Sequence, residues 1–125
     1  MSKPKLIIIE DETIIAIGLR KRFQSIGYEV CKVVSEGDEV IRSVERENPD
    51  VMLMDINIQG ARDGIEIAKE VNARFNIPIV FLSGYADPET ERRANMVNHS
   101  GFFAKPVEVS VLHRAFQKAM GKKSR

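Results

Sequence analysis

Several features that define a protein class are scarce or missing in this sequence of 125 residues. It has one cysteine, Cys31, which excludes an internal disulfide bond and a cysteine-based zinc site. No apolar run approaches the roughly 20 residues of a membrane-spanning helix. Residues 1–4 lead into a short apolar run that acidic residues end, so no signal peptide is expected. These absences favour a soluble, cytoplasmic protein without membrane contact.

The sequence also lacks an excess of positive or negative charge. The 19 basic and 18 acidic residues leave a formal net charge of +1, which gives no reason to expect direct binding of nucleic acid. The basic segments 20–22 and 122–125 are interpreted as solvated surface. No Pro/Gly/Ser-rich linker divides the chain, whose length suits one domain. We therefore expect a single domain over residues 1–125, with its core from about 5 to 120 and no output domain.

What the sequence does contain is a regular alternation of strand and helix patterns. Four short apolar runs predict buried strands at 6–9, 51–54, 79–82 and 102–104, and a partly alternating segment at 28–34 predicts a strand nearer an edge. Helical patterns lie between and after them, at 12–26, 39–47, 64–75, 87–97 and 107–120. Five strand-helix units predict an α/β fold, a single doubly wound domain with a parallel sheet and helices on both faces.

Two of the helical patterns carry more specific expectations. In the first, Ile15, Leu19, Phe23 and Ile26 share one face and are expected to be buried, and a glycine at position 27 is expected to end the helix. The fourth begins at Asp87 with the features of an N-cap and is the most polar. Its polar side chains, Arg92 and Arg93 among them, form a hypothetical partner surface.

Charged or hydroxyl side chains directly follow four of the predicted strands. They are Glu10 and Asp11 after the first, Asp55 after the third, Ser83 after the fourth and Lys105 after the fifth. Ligands of such sheets bind at the carboxyl ends of the strands, where the strand order reverses. We therefore expect these five side chains to meet at one edge of the sheet.

The chemistry of these side chains is mutually consistent. Three carboxylates at close range repel one another, and a hard divalent cation such as Mg²⁺ relieves that repulsion. Lys105 can neutralise an incoming oxyanion or pair with Asp55, and the Ser83 hydroxyl can donate to the same oxyanion. A carboxylate that faces a metal, a hydroxyl and an ammonium group is equipped to attack a phosphoryl group.

With these features the chain resembles the receiver domain of two-component response regulators over essentially its whole length. The residues that carry the resemblance are Glu10-Asp11, Asp55 with Asn57, the Asp63-Gly64 turn, Ser83-Gly84, and Phe102 through Lys105-Pro106. The resemblance implies a flavodoxin-like (βα)5 sandwich with five parallel strands in the order 2-1-3-4-5. It also implies a signalling domain that promotes only its own phosphorylation and dephosphorylation, and not an enzyme for other substrates.

The resemblance also implies a role for each matching position. Asp55 would be the phospho-accepting aspartate, and Ser83 and Lys105 would contact the phosphoryl group. The ligands of Mg²⁺ (or Mn²⁺) would be Glu10, acting mainly through water, Asp11, Asp55 and the backbone carbonyl of Asn57. Phe102 would be the aromatic residue that moves with Ser83, and the bond between Lys105 and Pro106 would be cis.

The implied partners are proteins. A sensor histidine kinase would supply the phosphoryl group, and a downstream protein would bind the face made by helix 4, strand 5 and helix 5, with a homodimer on phosphorylation left open.

The chain departs from the family in its Glu10-Asp11 pair, where Asp-Asp is commonest, in Gln59, where proline is frequent, and in a 57–64 loop one residue longer than usual. Asn57 and Tyr85 occupy positions that tune the phosphoryl lifetime in this family.

Four other interpretations stay open from the sequence. An aspartate-nucleophile phosphatase usually has a second aspartate two residues after the nucleophile, where this chain has Asn57. A nucleotide- or flavin-binding module would need a Gly-rich loop after the first strand, where Glu10 to Glu12 stand. The third interpretation is a receiver-like protein-binding module that is not phosphorylated, and the fourth is a receiver module cut from a longer regulator or hybrid kinase.

Overall fold

The computed structural model describes residues 3–58, 60–84 and 87–123, without the side chains beyond residue 121. The strands are β1 (Lys5–Ile9), β2 (Glu29–Val34), β3 (Val51–Asp55), β4 (Ile79–Ser83) and β5 (Gly101–Ala104). The helices are α1 (Thr13–Ser25), α2 (Val40–Glu47), α3 (Gly64–Arg74), α4 (Pro88–Asn95) and α5 (Val109–Lys123). A short 3₁₀ turn at Gly37–Glu39 precedes α2. No helix in the described ranges is both long and apolar enough to cross a membrane.

The five strands form one parallel sheet in the order β2-β1-β3-β4-β5, which confirms the predicted fold and strand order. The strand predicted near an edge, β2, is the edge strand beside β1. The chain moves outward from β1 to β2 on one side and then from β3 to β5 on the other. The carboxyl ends of the paired strands β1 and β3 therefore form the point where the order reverses.

The sheet separates two apolar clusters because successive side chains of a strand point to opposite faces. On one face Ile7 and Met52 pack with residues of α2, α3 and α4. On the other face Ile8 and Leu53 pack with residues of α1 and α5. β1, β3 and β4 lie between these layers, which is why their residues are apolar except at the strand ends, where Lys5, Asp55 and Ser83 stand.

The buried face of α1 differs from the predicted one. Leu19 and Phe23 are buried as expected, but Ile15 is 36% exposed and Ile26 is 45% exposed. Ala16 is buried instead, so the contact stripe lies to the other side of Leu19 and leaves Ile15 at its margin. Ile26 follows the last helical residue and is the C-cap. The prediction that Ile15 and Ile26 are core residues is therefore wrong.

The prediction that the last strand is buried on both faces is also wrong, because β5 is an edge strand that pairs with β4 alone. Phe102 and Phe103 are only partly buried. Phe102 packs against the cluster below α2, α3 and α4, and Phe103 packs against the cluster below α1 and α5. The two neighbouring rings thus face opposite sides of the sheet, as the strand geometry requires.

A partly buried hydrogen bond joins α5 to the turn before β2. The hydroxyl of Tyr28 lies 2.8 Å from Nδ1 of His113, and the Tyr28 ring makes edge contacts with Phe23 and Phe116. Tyr28 is 2% exposed, and this burial raises the pKa of its phenol to about 12. The folded protein therefore favours the neutral phenol over a range of pH in which an unfolded tyrosine ionises.

This burial predicts a loss of stability in alkaline solution. Because the Tyr28 pKa is raised from 10.0 to about 12, its contribution is complete below pH 10 and is lost as the pH rises through 12. Tyr28→Phe should lower the free energy of unfolding at neutral pH by about 0.5–1.5 kcal/mol, through loss of the hydrogen bond to His113. It should then lose less stability than wild type above pH 10, as measured by urea denaturation at several pH values. Parallel losses in the two proteins would contradict this.

Candidate functional site

Three carboxylates meet at the carboxyl ends of β1 and β3. Glu10 and Asp11 directly follow β1, and Asp55 is the last residue of β3, which pairs with β1 in parallel register. One carboxylate oxygen from each residue lies within 4.8 Å of the other two. Glu10 and Asp55 are each only 2% exposed, whereas Asp11 is partly exposed. Asp11 is therefore the carboxylate of this cluster that lies nearest to solvent.

Lys105 brings the positive charge of the site. Its ammonium Nζ lies 2.9 Å from Oε1 of Glu10 and 3.0 Å from Oδ2 of Asp55. The backbone N–H of Lys105 donates to the carbonyl of Ser83, which extends the pairing of β4 and β5 by one residue. The bond between Lys105 and Pro106 is cis. Burial disfavours the charged ammonium, but the hydrogen bonds to Glu10 and Asp55 outweigh it and raise the pKa of Lys105.

The electrostatic balance of the site remains negative. Three carboxylates face one ammonium group, which leaves two formal negative charges when all are ionised. Burial raises the pKa of Glu10, the hydrogen bond from Lys105 opposes that rise, and the nearby charge of Asp55 adds to it. A group with opposite charge would therefore stabilise the ionised form of this cluster.

The donor set fits a hard divalent cation. Carboxylate oxygens at strand ends are the ligands that Mg²⁺ prefers, and a double positive charge matches the excess negative charge of the cluster. Asp55 accepts the backbone N–H of Asn57 at 3.0 Å through Oδ1, and Glu10 accepts the backbone N–H of Glu12 through Oε2. These bonds orient the carboxylates, and Lys105 is the cation that pairs with the two buried ones.

The loop after β3 packs directly against the backbone of Asp55, the predicted phosphoryl acceptor. The N–H of Gly64 donates to the carbonyl of Ile56, and a Cβ at position 64 would collide with the carbonyl oxygen of Asp55 and come within 2.9 Å of the Cα of Ile56. Asp63 caps α3 by accepting the N–H of Glu66 at 3.0 Å, and the Glu66 side chain accepts the N–H of Asp63. The start of α3 is thereby fixed against the backbone of Asp55.

The strands, carboxylates and lysine of this chain match those of a known protein family. Residues 6–117 match the profile of the response regulator receiver domain. The chain belongs to this family. Receiver domains are signalling domains of two-component systems that generally bind Mg²⁺ at an acidic pocket and take phosphoryl groups from histidine kinases. The predicted resemblance is therefore confirmed at the level of the family.

Individual relatives of this receiver domain differ in length. Sporulation initiation phosphotransferase F of Bacillus subtilis (strain 168) is 29% identical over 125 residues, with 99% of both chains covered. The transcriptional regulatory protein PdtaR of Mycobacterium tuberculosis is 29% identical over 118 residues, which cover 94% of this chain and 57% of PdtaR. The receiver domain thus spans little more than half of that regulator. The solved signal receiver domain of a modulated diguanylate cyclase from Desulfovibrio desulfuricans G20 is 40% identical, with a TM-score of 0.91 and 98% of both chains covered.

Ser83 and Phe102 lie on β4 and β5, the two strands on the β3 side of the carboxylate cluster. Ser83 is the last residue of β4 and is fully buried, one position beyond the Leu82 that pairs with Asp55. Phe102 of β5 pairs with Phe81 of β4 and packs toward the α4 side of the sheet. The receiver fold therefore places Ser83 at the same edge as Asp55, and Phe102 on the strand that leads to Lys105. Gln59 and Tyr85, two further positions of the sequence analysis, lie outside the described residues.

Two contacts of this receiver domain were not predicted from the sequence. Lys105 pairs with Glu10 as well as with Asp55, although Glu10 was expected to act mainly through water. Arg93 of α4 forms an ion pair with Asp63, with 2.8 Å between Nη2 and Oδ2. Each contact joins residues that are distant in the sequence. In addition, the sequence does not indicate which of the neighbouring arginines, Arg92 or Arg93, faces the loop after β3.

Proposed function

We propose that this receiver domain is a phosphorylation switch in which Asp55 accepts a phosphoryl group from a phosphohistidine of a sensor kinase. The observation that supports this most strongly is the pairing of one ammonium group, Lys105, with two buried carboxylates, Glu10 and Asp55, at the carboxyl ends of β1 and β3. A buried cluster of this kind exceeds what surface solubility requires. Family membership supports the same general role.

In the proposed reaction, a carboxylate oxygen of Asp55 attacks phosphorus as the bond from phosphorus to the histidine nitrogen breaks. An aspartyl phosphate forms, and the released imidazole takes a proton from solvent. A bound Mg²⁺ (or Mn²⁺) would supply charge compensation for the phosphoryl oxygens. It would be held by the carboxylates of Asp11 and Asp55, by the backbone carbonyl of Asn57, and by Glu10 mainly through water. Catalysis then depends on positioning and charge compensation.

Lys105 and Ser83 would respond to the new group. The Lys105 ammonium would exchange Asp55 Oδ2 for a phosphoryl oxygen, and the Ser83 hydroxyl would donate to another oxygen of the same group. Phe102, which is only partly buried, would turn inward as Ser83 moves. We propose that this shifts an existing equilibrium between two arrangements of α4, β5 and α5, the face that would bind a downstream protein or a second phosphorylated copy.

The kinase is proposed to approach along the N-terminal half of α1. Ile14 is 87% exposed and Ile17 is 49% exposed, and α1 starts two residues after Asp11. Exposed apolar side chains beside an ionic site are typical of protein contact surfaces. A phosphohistidine presented by a protein that covers these isoleucines would lie near Asp55. The proposed location of the receiver domain is the cytoplasm, where such kinases present their phosphohistidine.

All the described helices and strands belong to one receiver fold. We propose that residues 1–125 form one receiver domain with its core at about 5–120. That unit acts through its own surface, or it is the receiver module of a longer regulator or hybrid kinase. A receiver-like module that binds partners without phosphorylation is the remaining alternative. The experiment below separates that alternative from the switch.

The test is incubation of the chain with Mg²⁺ and a small acyl phosphate donor, followed by intact-mass measurement. We expect the mass gain of one phosphoryl group, stable in acid and lost in base, which is absent with EDTA and absent in Asp55→Asn. Asp38→Asn, a change of an exposed acidic residue in the turn before α2, is the matched control and should be phosphorylated like wild type. No mass gain in wild type would refute the switch, and rapid hydrolysis of phosphomonoesters would favour a phosphatase.

A further inference from the structure

An ion pair joins α4 to the loop that precedes α3. Nη2 of Arg93 lies 2.8 Å from Oδ2 of Asp63, and the two side chains are 37% and 30% exposed. Arg92, the preceding residue, pairs with Glu89 inside α4 and is 64% exposed. Within the described residues, the Arg93–Asp63 ion pair is the one that reaches from α4 to another part of the fold. The two arginines therefore have different surroundings, although they are neighbours with the same charge.

The Asp63 end of this ion pair is rigidly connected to the proposed phosphorylation site. Oδ1 of Asp63 caps α3, so Oδ2 is the oxygen left to face Arg93. The next residue, Gly64, donates to the carbonyl of Ile56 and packs against the carbonyl of Asp55 without room for a Cβ. Asp63 is thereby linked to the backbone of Asp55 through the contacts of Gly64 with Ile56 and Asp55.

The Arg93 end belongs to a helix with few other attachments. α4 has eight residues, of which only Ala94 is buried, and Val97 just beyond the helix is the next apolar anchor. The side chain of Asn95 bonds to His99 in the turn that follows, not to another layer of the fold. A single ion pair is therefore a substantial part of what fixes the position of α4 relative to the loop before α3.

We propose that the Arg93–Asp63 ion pair is a latch that holds α4 in the arrangement of the unphosphorylated domain and so opposes phosphorylation of Asp55. This inference rests on the proposed function of Asp55. The structure has Lys105 paired with an unmodified Asp55, and the latch is closed in that state. A contact made in only one of two states shifts the equilibrium toward that state by its own free energy. Arg93 is thus a positioning residue, because it acts on Asp55 through Asp63 and α4.

Loss of the latch and loss of a positive charge predict opposite changes in the affinity for an anion at Asp55. Arg93→Gln removes one positive charge, and charge alone would weaken the binding of an anion at Asp55. Release of the latch predicts the opposite result, namely tighter binding. Partly exposed ion pairs of this kind contribute enough for a change of about two- to fivefold. Because the pair is partly exposed, its loss does not threaten folding.

The experiment titrates the full chain with beryllofluoride, a phosphoryl mimic, in the presence of Mg²⁺, and follows binding by NMR. We expect Arg93→Gln to bind beryllofluoride about two- to fivefold more tightly than wild type. The matched control, Arg92→Gln, loses the same charge from the same helix and should bind as wild type or slightly more weakly. Arg93→Lys keeps a cation opposite Asp63 and should restore binding close to that of wild type.

Asp63→Asn tests the other half of the latch, since asparagine keeps the oxygen that caps α3. Its effect on beryllofluoride affinity should be smaller in the Arg93→Gln background than in wild type, because the latch is already open there. Equal affinities for Arg93→Gln and Arg92→Gln, or weaker binding by Arg93→Gln, would overturn the latch alone. A wild-type chain that binds no beryllofluoride would overturn the proposed function and the latch with it.

Discussion

Replacement of Lys105 by methionine is expected to destabilise the domain by about 2–4 kcal/mol at pH 7 in the absence of Mg²⁺. The substitution removes the ammonium group that lies 2.9 Å from Glu10 and 3.0 Å from Asp55, and both carboxylates then stay buried without a cation. Removal of one partner from a buried pair costs about 3–5 kcal/mol, and the 20% exposure of Lys105 places this site toward the lower end. Urea denaturation measures the difference from wild type.

The same substitution should make stability depend on acid in a specific direction. Without Lys105, the stronger of the two hydrogen bonds that oppose the burial-driven rise in the pKa of Glu10 above 4.5 is lost, and only that from the Glu12 N–H remains. The folded variant then binds more protons than its unfolded chain in the range above pH 4.5, so its free energy of unfolding falls as the pH rises through that range. The deficit relative to wild type should be small near pH 4 and largest at neutral pH.

Mg²⁺ provides the second part of this test, because it would supply the charge that the variant lacks. Saturating Mg²⁺ should recover part of the stability of Lys105→Met. Phosphorylation by an acyl phosphate should nevertheless remain slower than in wild type by about a hundredfold or more, because the variant lacks a group that stabilises the negative charge that develops in the reaction. Lys118→Met, at an exposed position of α5, is the control and should change neither quantity. A deficit that is independent of pH would contradict the charge-pairing explanation.

The convergence of these charged groups was predictable because it follows from the strands. Parallel strands buried on both faces have uniformly apolar sequences, so β1, β3 and β4 are visible in the sequence, and their carboxyl ends lie at one edge of the sheet. The residues that follow them, Glu10 and Asp55 among them, are brought together by backbone geometry alone. The residue types at these positions then indicate the kind of chemistry.

The features that could not be predicted from the sequence depend on how the helices pack against the sheet. Ala16 and not Ile15 is buried on α1, because rotation of a helix about its axis is decided by packing against β-strands and α5, not by the periodicity alone. The Arg93–Asp63 ion pair likewise requires the distance between α4 and the loop before α3. Side-chain partners across layers are long-range properties, and a local pattern does not contain them.

Asp11→Asn should reverse its order of stability with wild type when Mg²⁺ is added. Without metal, three carboxylate oxygens within 4.8 Å repel one another, so removal of the charge nearest to solvent should stabilise the domain by about 1 kcal/mol. With Mg²⁺ at a hundred times its dissociation constant, wild type should gain about 2.7 kcal/mol, because the ion binds only the folded state. The variant has lost one ligand and should gain far less.

The reversal distinguishes a metal ligand from a carboxylate that only adds negative charge. Glu29→Gln removes the same charge at an exposed position at the start of β2, the opposite end of the sheet, and should respond to Mg²⁺ as wild type does. Urea denaturation of the three proteins in EDTA and in a series of Mg²⁺ concentrations gives all of these values. If Asp11→Asn gained as much stability as wild type, Asp11 would not be a ligand. Because the readout is folding and not phosphorylation, it tests the Mg²⁺ site independently of any role of Asp55 as phosphoryl acceptor.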